Sequence, residues 1–401
     1  MLSHPSCARR SPSRAKRAIA PVVALAVFAL LVSGCGLSQY ERGFLQYLDA
    51  NHSAIESFAD DGDYSALAPL RNLAETSNVV FYGESHGIAD NYSIVLKLMK
   101  YLHSLGYRYL VLEEDFTDAD RYNQYLATGD EGLLTGLDKW KRTKFETNSV
   151  EGLQFFRELR NWNQSLPEDE RIAIWSADVS MQYEQAKQRI SEQISRIPRP
   201  RVVPRLLELF LSKSDSYSGV KSFEGDLERE LSGLSGREIE ELRLQVRSLK
   251  DAYASDASRQ DENVAADYPS RADIRDLAMA AAFDGYWRWA DAPRTGKVFV
   301  YMGARHGDVT QNTVGRILSE KYEPTKGKVA TIAGIPLSGQ YRENDGTVQD
   351  ASPGQMGISP ALARALMKLG RPYLLALAPS GSGLPYSAYI LIRSAIPVHD
   401  R

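Results

Sequence analysis

Four short apolar runs in this sequence each end in polar residues suited to acid–base or electrostatic chemistry. Residues 79–82 lead into Gly83-Glu84-Ser85-His86-Gly87, and residues 109–112 into Glu113-Glu114-Asp115. Residues 172–175 lead into Ser176-Ala177-Asp178, and residues 298–302 into Gly303-Ala304-Arg305-His306-Gly307-Asp308. A histidine titrates near neutral pH and can take a proton from water, while a nearby carboxylate fixes its tautomer and raises its basicity. A histidine or arginine close by can stabilise the oxyanion that develops at an attacked carbonyl. Glu84, His86, Glu113, Asp178 and His306 are therefore expected to converge at one edge of a sheet. His306 or Arg305 is the candidate oxyanion partner. Glu84 remains open between ligand, acid and helix cap.

Such clusters need strands to carry them. The runs 79–82, 107–112, 171–176, 297–302, 328–333, 373–377 and 388–392 are mostly continuous rather than alternating, as strands covered on both faces should be. Helical periodicity separates several of them, at residues 91–105 and 150–164. That alternation predicts an α/β fold with a mainly parallel central sheet flanked by helices, whose ligands gather past the carboxyl ends of the strands. Residues 185–290 break the rhythm. Ser235-Gly236-Arg237-Glu238 has the form of a capping box, Ile239, Leu242, Val246 and Leu249 mark a helix face, and a second helix is expected over 271–289. The interval is expected to be a helical insertion, either a lid over the strand ends or a pack on the sheet edge. As a lid it would bring Arg275 to the pocket; Arg275, Arg305 and Asp178 are the candidate substrate-binding residues.

These motifs resemble, in order, those of the erythromycin esterase family, part of a wider group with ChaN-type haem-binding lipoproteins and TraB/Tiki-type proteins. The matching pieces are Phe81-Tyr82-Gly83-Glu84-Ser85-His86-Gly87, Leu112-Glu113-Glu114-Asp115-Phe116 and Tyr122-Asn123-Gln124-Tyr125-Leu126-Ala127-Thr128-Gly129. Arg275-Asp276-Leu277-Ala278-Met279-Ala280 and the segment around His306 continue the match through residue 310. The resemblance implies a metal-independent hydrolase in which a histidine activates water against an ester. It carries His86 as the base, Glu113 as its partner or second carboxylate, and His306 as a second catalytic or substrate-orienting histidine. The short Gly-Glu-Ser-His-Gly form and Gly303-Ala304-Arg305-His306 look closer to the TraB/Tiki type, for which a divalent metal is implied.

Rival chemistries share the same residues. Gly83-Glu84-Ser85-His86-Gly87 satisfies G-x-S-x-G, and Ser85, Asp178 and His306 fall in α/β-hydrolase order. A nucleophile elbow normally has several strands before it, whereas residues 36–78 read as helical. A zinc or manganese hydrolase would draw on Glu84, His86, Asp178 or His306. A haem-binding lipoprotein would use Tyr82, Tyr92 or Tyr301. No Walker A or G-x-G-x-x-G fingerprint supports phosphate cradling.

Composition narrows the field further. The 401 residues are 43% hydrophobic and 25% charged, ordinary for a folded chain and wrong for a disordered or polytopic membrane protein. Two cysteines exclude a disulfide scaffold. Residues 1–34 hold five basic groups and no acid, leaving 43 basic against 51 acidic groups and a net charge of −8. Nucleic acid is therefore not an expected partner. The basic cluster precedes an apolar run over 18–32, shorter than the roughly 20 residues that span a bilayer. Leu31-Val32-Ser33-Gly34-Cys35 resembles a bacterial lipobox. Cleavage before Cys35 and its lipidation are expected, giving a cell-envelope protein anchored to a membrane and facing outside the cytoplasm. The expected organisation is signal peptide 1–34, N-terminal linker and helix 35–77, core 78–190, helical insertion 191–284 and core 285–401. A small-molecule substrate and no required cofactor complete the expectation.

Overall fold

The computed structural model describes residues 39–399 except 60, 136–148, 181, 257–263, 265–270, 291–295, 344–345, 352–357 and 380–383. The leader and Cys35 lie outside the described residues. The strands in chain order are β1 (His52–Ile55), β2 (Val79–Glu84), β3 (Tyr107–Asp115), β4 (Ala173–Asp178), β5 (Lys297–Gly303) and β6 (Val329–Pro336). There follow a hairpin of β7 (Gln340–Arg342) and β8 (Val348–Asp350), then β9 (Tyr373–Leu377) and β10 (Ala388–Ile392).

Eight of these form one sheet in the order β1-β9-β10-β6-β2-β5-β3-β4. The six strands from β10 to β4 are parallel to their neighbours; β1–β9 and β9–β10 are antiparallel. The fold is the α/β class expected, a mainly parallel sheet flanked by helices. Its continuous apolar strands reflect burial on both faces. Along β2, Val80 and Tyr82 pack on one side with Leu110, Leu112 and Phe299, while Val79 and Phe81 pack on the other with Val111, Val298 and Val300.

Between β4 and β5 the described residues form five helices, Tyr183–Ser195, Val203–Lys213, Tyr217–Glu230, Arg237–Ser255 and Arg271–Trp289. They share a core of their own around Ile190, Phe210, Phe223, Leu242 and Leu249. The last helix joins that core to the sheet. Ile274 sits in the helical cluster, whereas Met279, Phe283 and Trp287 pack on Trp175 and Val300 from the sheet. Its first turns consequently stand beside the ends of β3 and β4, carrying Arg275 and Asp276.

Two local expectations are corrected. Residues 36–76 are not helical throughout: Gln39–Asn51 is a helix, but His52–Ile55 continues it as an edge strand paired with β9. Four residues, three half-buried and Ile55 buried, leave too short a periodic signal to separate from the preceding helix. The capping box at Ser235 does not form either. The helix begins at Arg237 with Gly236 at its cap, at φ 126° and without a side-chain hydrogen bond, a geometry glycine tolerates.

The turn after β2 is held from two directions. Gly87, at φ 79°, accepts N–H bonds at its carbonyl from Arg342 in the hairpin and Val398 near the C-terminus, both 3.1 Å. A Cβ on Gly87 would lie 2.0 Å from the Arg342 carbonyl oxygen, so only glycine lets the hairpin approach. The histidine one residue earlier is thereby placed by the hairpin and the C-terminal segment together.

Candidate active site

The side chains at the ends of β2, β3 and β5 face one cavity of about 420 Å³. Glu84, the last residue of β2, is 5% exposed and pinned by Asn91: Asn91 Nδ2 donates to Glu84 Oε2 at 2.7 Å. Tyr82 OH donates to Asn91 Oδ1 at 2.8 Å, and burial together with the charges of Glu84 and Asp90 pushes the Tyr82 phenol well up, so it remains a donor. The other Glu84 oxygen, Oε1, lies 2.5 Å from His86 Nδ1. An ionised carboxylate can only accept, so this contact takes the Nδ1 proton and turns Nε2 toward Gly303 and Glu113. The His86 side chain is 52% exposed, and its Nε2 would lie 3.1 Å from a Cβ placed on Gly303. Glu113 Oε2 would lie 3.2 Å from the same point. The missing side chain at Gly303 thus brings base and second carboxylate close together.

Glu113 is aimed by a bulge. Leu112 pairs with Ser176 and Asp115 with Asp178, so β3 uses one residue more than β4 across this step. Bulges of this kind turn side chains next to functional sites. Glu113 Oε2 accepts the Gly303 N–H at 2.6 Å, and Oε1 accepts from Arg275 Nη2 at 2.6 Å. Arg275 also donates from Nε and Nη2 to the two oxygens of Asp178, at 2.8 and 2.6 Å. Burial would raise the Glu113 carboxyl, but the charges of Arg275 and His306 outweigh it and hold it well below the usual carboxylate range.

His306 lies on the short turn after β5, 7% exposed at its side chain. Nδ1 is 2.8 Å from Asp276 Oδ1, and Nε2 is 3.5 Å from Glu113 Oε1. Burial disfavours its charge, but Glu113 and Asp276 together overcome that cost and push the imidazole up to about 9. The two histidines therefore differ: His306, pushed up to about 9, is a cation at neutral pH, while His86 is half exposed and turns Nε2 toward the cavity.

Glu84, Ser85, His86, Glu113, Arg275, Arg305 and His306 all line the cavity. Asp178 does not; its oxygens hold Arg275. Glu113 is not the partner of His86 Nδ1, which belongs to Glu84, and stands instead as the second carboxylate. The serine triad is not assembled, because Asp178 pairs with Arg275 and His306 with Asp276. The tyrosines proposed for haem, Tyr82, Tyr92 and Tyr301, are 0%, 5% and 4% exposed, and none lines the cavity. Nor do the residues fit a divalent ion. Asp178 and Glu113 share the Arg275 guanidinium, His306 has carboxylates at both nitrogens, and no group of three or more metal-binding side chains occurs among the described residues.

No family model matches the chain, and no curated protein matches it. Solved structures do. A Bacillus cereus protein superposes with a TM-score of 0.69 at 17% identity, over 90% of this chain and 99% of that one. A succinoglycan biosynthesis protein gives 0.68 at 15% identity, over 91% and 100%. A histidine-to-asparagine mutant of erythromycin esterase EreC, in its open conformation, gives 0.59 at 15% identity, over 86% and 98%. The chain has the erythromycin esterase fold. Within that fold, four residues that the sequence did not single out as site residues complete the cavity and its supports. Asn91 pins Glu84, Asp276 holds His306, and Tyr341 and Glu343 supply a wall from the hairpin. Asp276 left a signal, an acid directly after Arg275 and just before the apolar stretch 277–283 of its helix. The hairpin residues left none, since their approach depends on Gly87.

Proposed function

We propose that this protein is an ester hydrolase in which His86 activates water. The observation that carries the reading is the pair of histidines: His86 tied through Nδ1 to buried Glu84 with Nε2 toward the cavity, and charged His306 across from it. Water gives a proton to His86 Nε2 as its oxygen bonds to the ester carbonyl carbon. The oxyanion is stabilised by His306 and Arg305, and collapse of the tetrahedral adduct breaks the C–O bond. The alkoxide leaves with the proton returned from His86. The solved erythromycin esterase with this fold supports the reaction class. A small-molecule ester is the substrate, with no cofactor.

A panel of esters assayed with and without a chelator tests this reading. Hydrolysis should persist with chelator and should fall on an alkaline limb near pH 9, where His306 loses its proton. Binding without turnover would instead make the protein a ligand-binding lipoprotein, and loss of activity with chelator would point to a metal hydrolase.

The same proposal puts the protein in the bacterial envelope, anchored by lipid on Cys35, since the lipobox-like run follows a basic cluster and an apolar run and each buried CH₂ of an acyl chain contributes about 0.8 kcal/mol. Cys35→Ser should abolish lipid labelling and release the chain from the membrane fraction. Unchanged labelling would remove the anchor from the proposal.

A further inference from the structure

Asp276 is completely buried, at 0% exposure, in the first turns of the helix Arg271–Trp289. One of its oxygens does two jobs. Oδ1 accepts from His306 Nδ1 at 2.8 Å and from the Val314 N–H at 2.9 Å, so the histidine turn and the short helix that opens at Val314 hang on the same atom. The other oxygen, Oδ2, has no hydrogen-bond partner among the described residues. A buried carboxylate with an unpaired oxygen is unfavourable for folding, and such groups in native proteins call for a functional explanation.

We propose that Asp276 is a positioning residue for His306, holding Nδ1 so that Nε2 is turned across the cavity floor toward Glu113. This rests on the hydrolase reading above. The charged and titratable groups around the ring come from three directions. Asp276 and Arg275 come from the helix, Glu113 from β3, and Glu84 with His86 from the turn after β2; Arg305 and Asp308 flank it in sequence. Each ring nitrogen faces a carboxylate, which can only accept, so both nitrogens must donate and the ring must be the cation. Without Asp276, Nδ1 would lose its acceptor and the ring could turn away from Glu113. His306 would then offer neither a fixed direction nor a fixed charge to the developing oxyanion.

The test compares wild-type protein with Asp276→Asn, which keeps an acceptor oxygen and removes the charge. Nitrogen-15 NMR of His306 in the full mature chain should show both nitrogens protonated at pH 7 in the wild type. In Asp276→Asn the titration midpoint should fall, and the alkaline limb of kcat should move down with it. We expect kcat to drop about tenfold with KM within about twofold, as for an interaction made in the transition state. A purely structural Asp276 would lower the melting temperature and leave the titration and pH profile in place; that result overturns the inference. If no ester is turned over, the hydrolase reading fails while the NMR comparison still decides the role of Asp276. Should Asp276→Asn not fold, the wild-type spectrum remains decisive: an unprotonated His306 Nδ1 at pH 7 sinks the proposal.

Discussion

His86→Ala is expected to lower ester hydrolysis by roughly 10²–10⁴-fold, the usual contribution of a positioned acid–base group. The loss should be catalytic rather than structural. His86 is half exposed, and its Nδ1 partner Glu84 keeps the hydrogen bond from Asn91, so the urea midpoint should stay close to wild type. Ser85→Ala is the necessary companion. Ser85 lines the same cavity, but His306 and Asp178 are engaged elsewhere, so this variant should keep substantial activity. A burst experiment should show no acyl-enzyme. Complete loss in folded Ser85→Ala, with covalent labelling of Ser85 in the parent, would move the chemistry to the serine.

Seven strands of the main sheet were legible because each is a short, mostly apolar run buried on both faces, and the runs over 373–377 and 388–392 coincide with β9 and β10. Their ends were less so. β3 runs on to Asp115, because the bulge that aims Glu113 is a pairing feature between two strands and leaves no mark in either alone. β1 was hidden for a similar reason: its neighbour β9 lies more than 300 residues away in sequence, and that contact, more than its own composition, makes it a strand. Clustering of the site residues followed from strand ends, but their pairing did not. A carboxylate placed two residues before a histidine turned out to be its partner, through an asparagine seven residues farther on. Glu113 went to Arg275, 162 positions away, a choice made by the helix that packs Met279 and Phe283 on the sheet.

That distant pairing sets the largest expected change in stability. Arg275 is the single guanidinium between two buried carboxylates, Glu113 and Asp178, whose side chains are 7% and 10% exposed. Arg275→Leu leaves Asp178 without this counter-charge and Glu113 with His306 alone across from it. Removing one partner of a buried ion pair typically costs about 3–5 kcal/mol; Arg275 keeps a third of its side chain in solvent, which favours the lower end of that range. Urea unfolding at pH 7 measures it. The pH dependence identifies the cause. Because Glu113 is held well below its ordinary value of 4.5, its contribution in the wild type is fully present above 4.5 and is lost as pH falls through the lower folded value. In Arg275→Leu the depression is reduced to what His306 supplies, so the deficit should be widest near neutrality and should shrink as pH falls and Glu113 takes up a proton. A deficit that stayed constant with pH would mean that Arg275 acts by packing its stem, and an unchanged midpoint at pH 7 would mean that solvent already screens the two carboxylates.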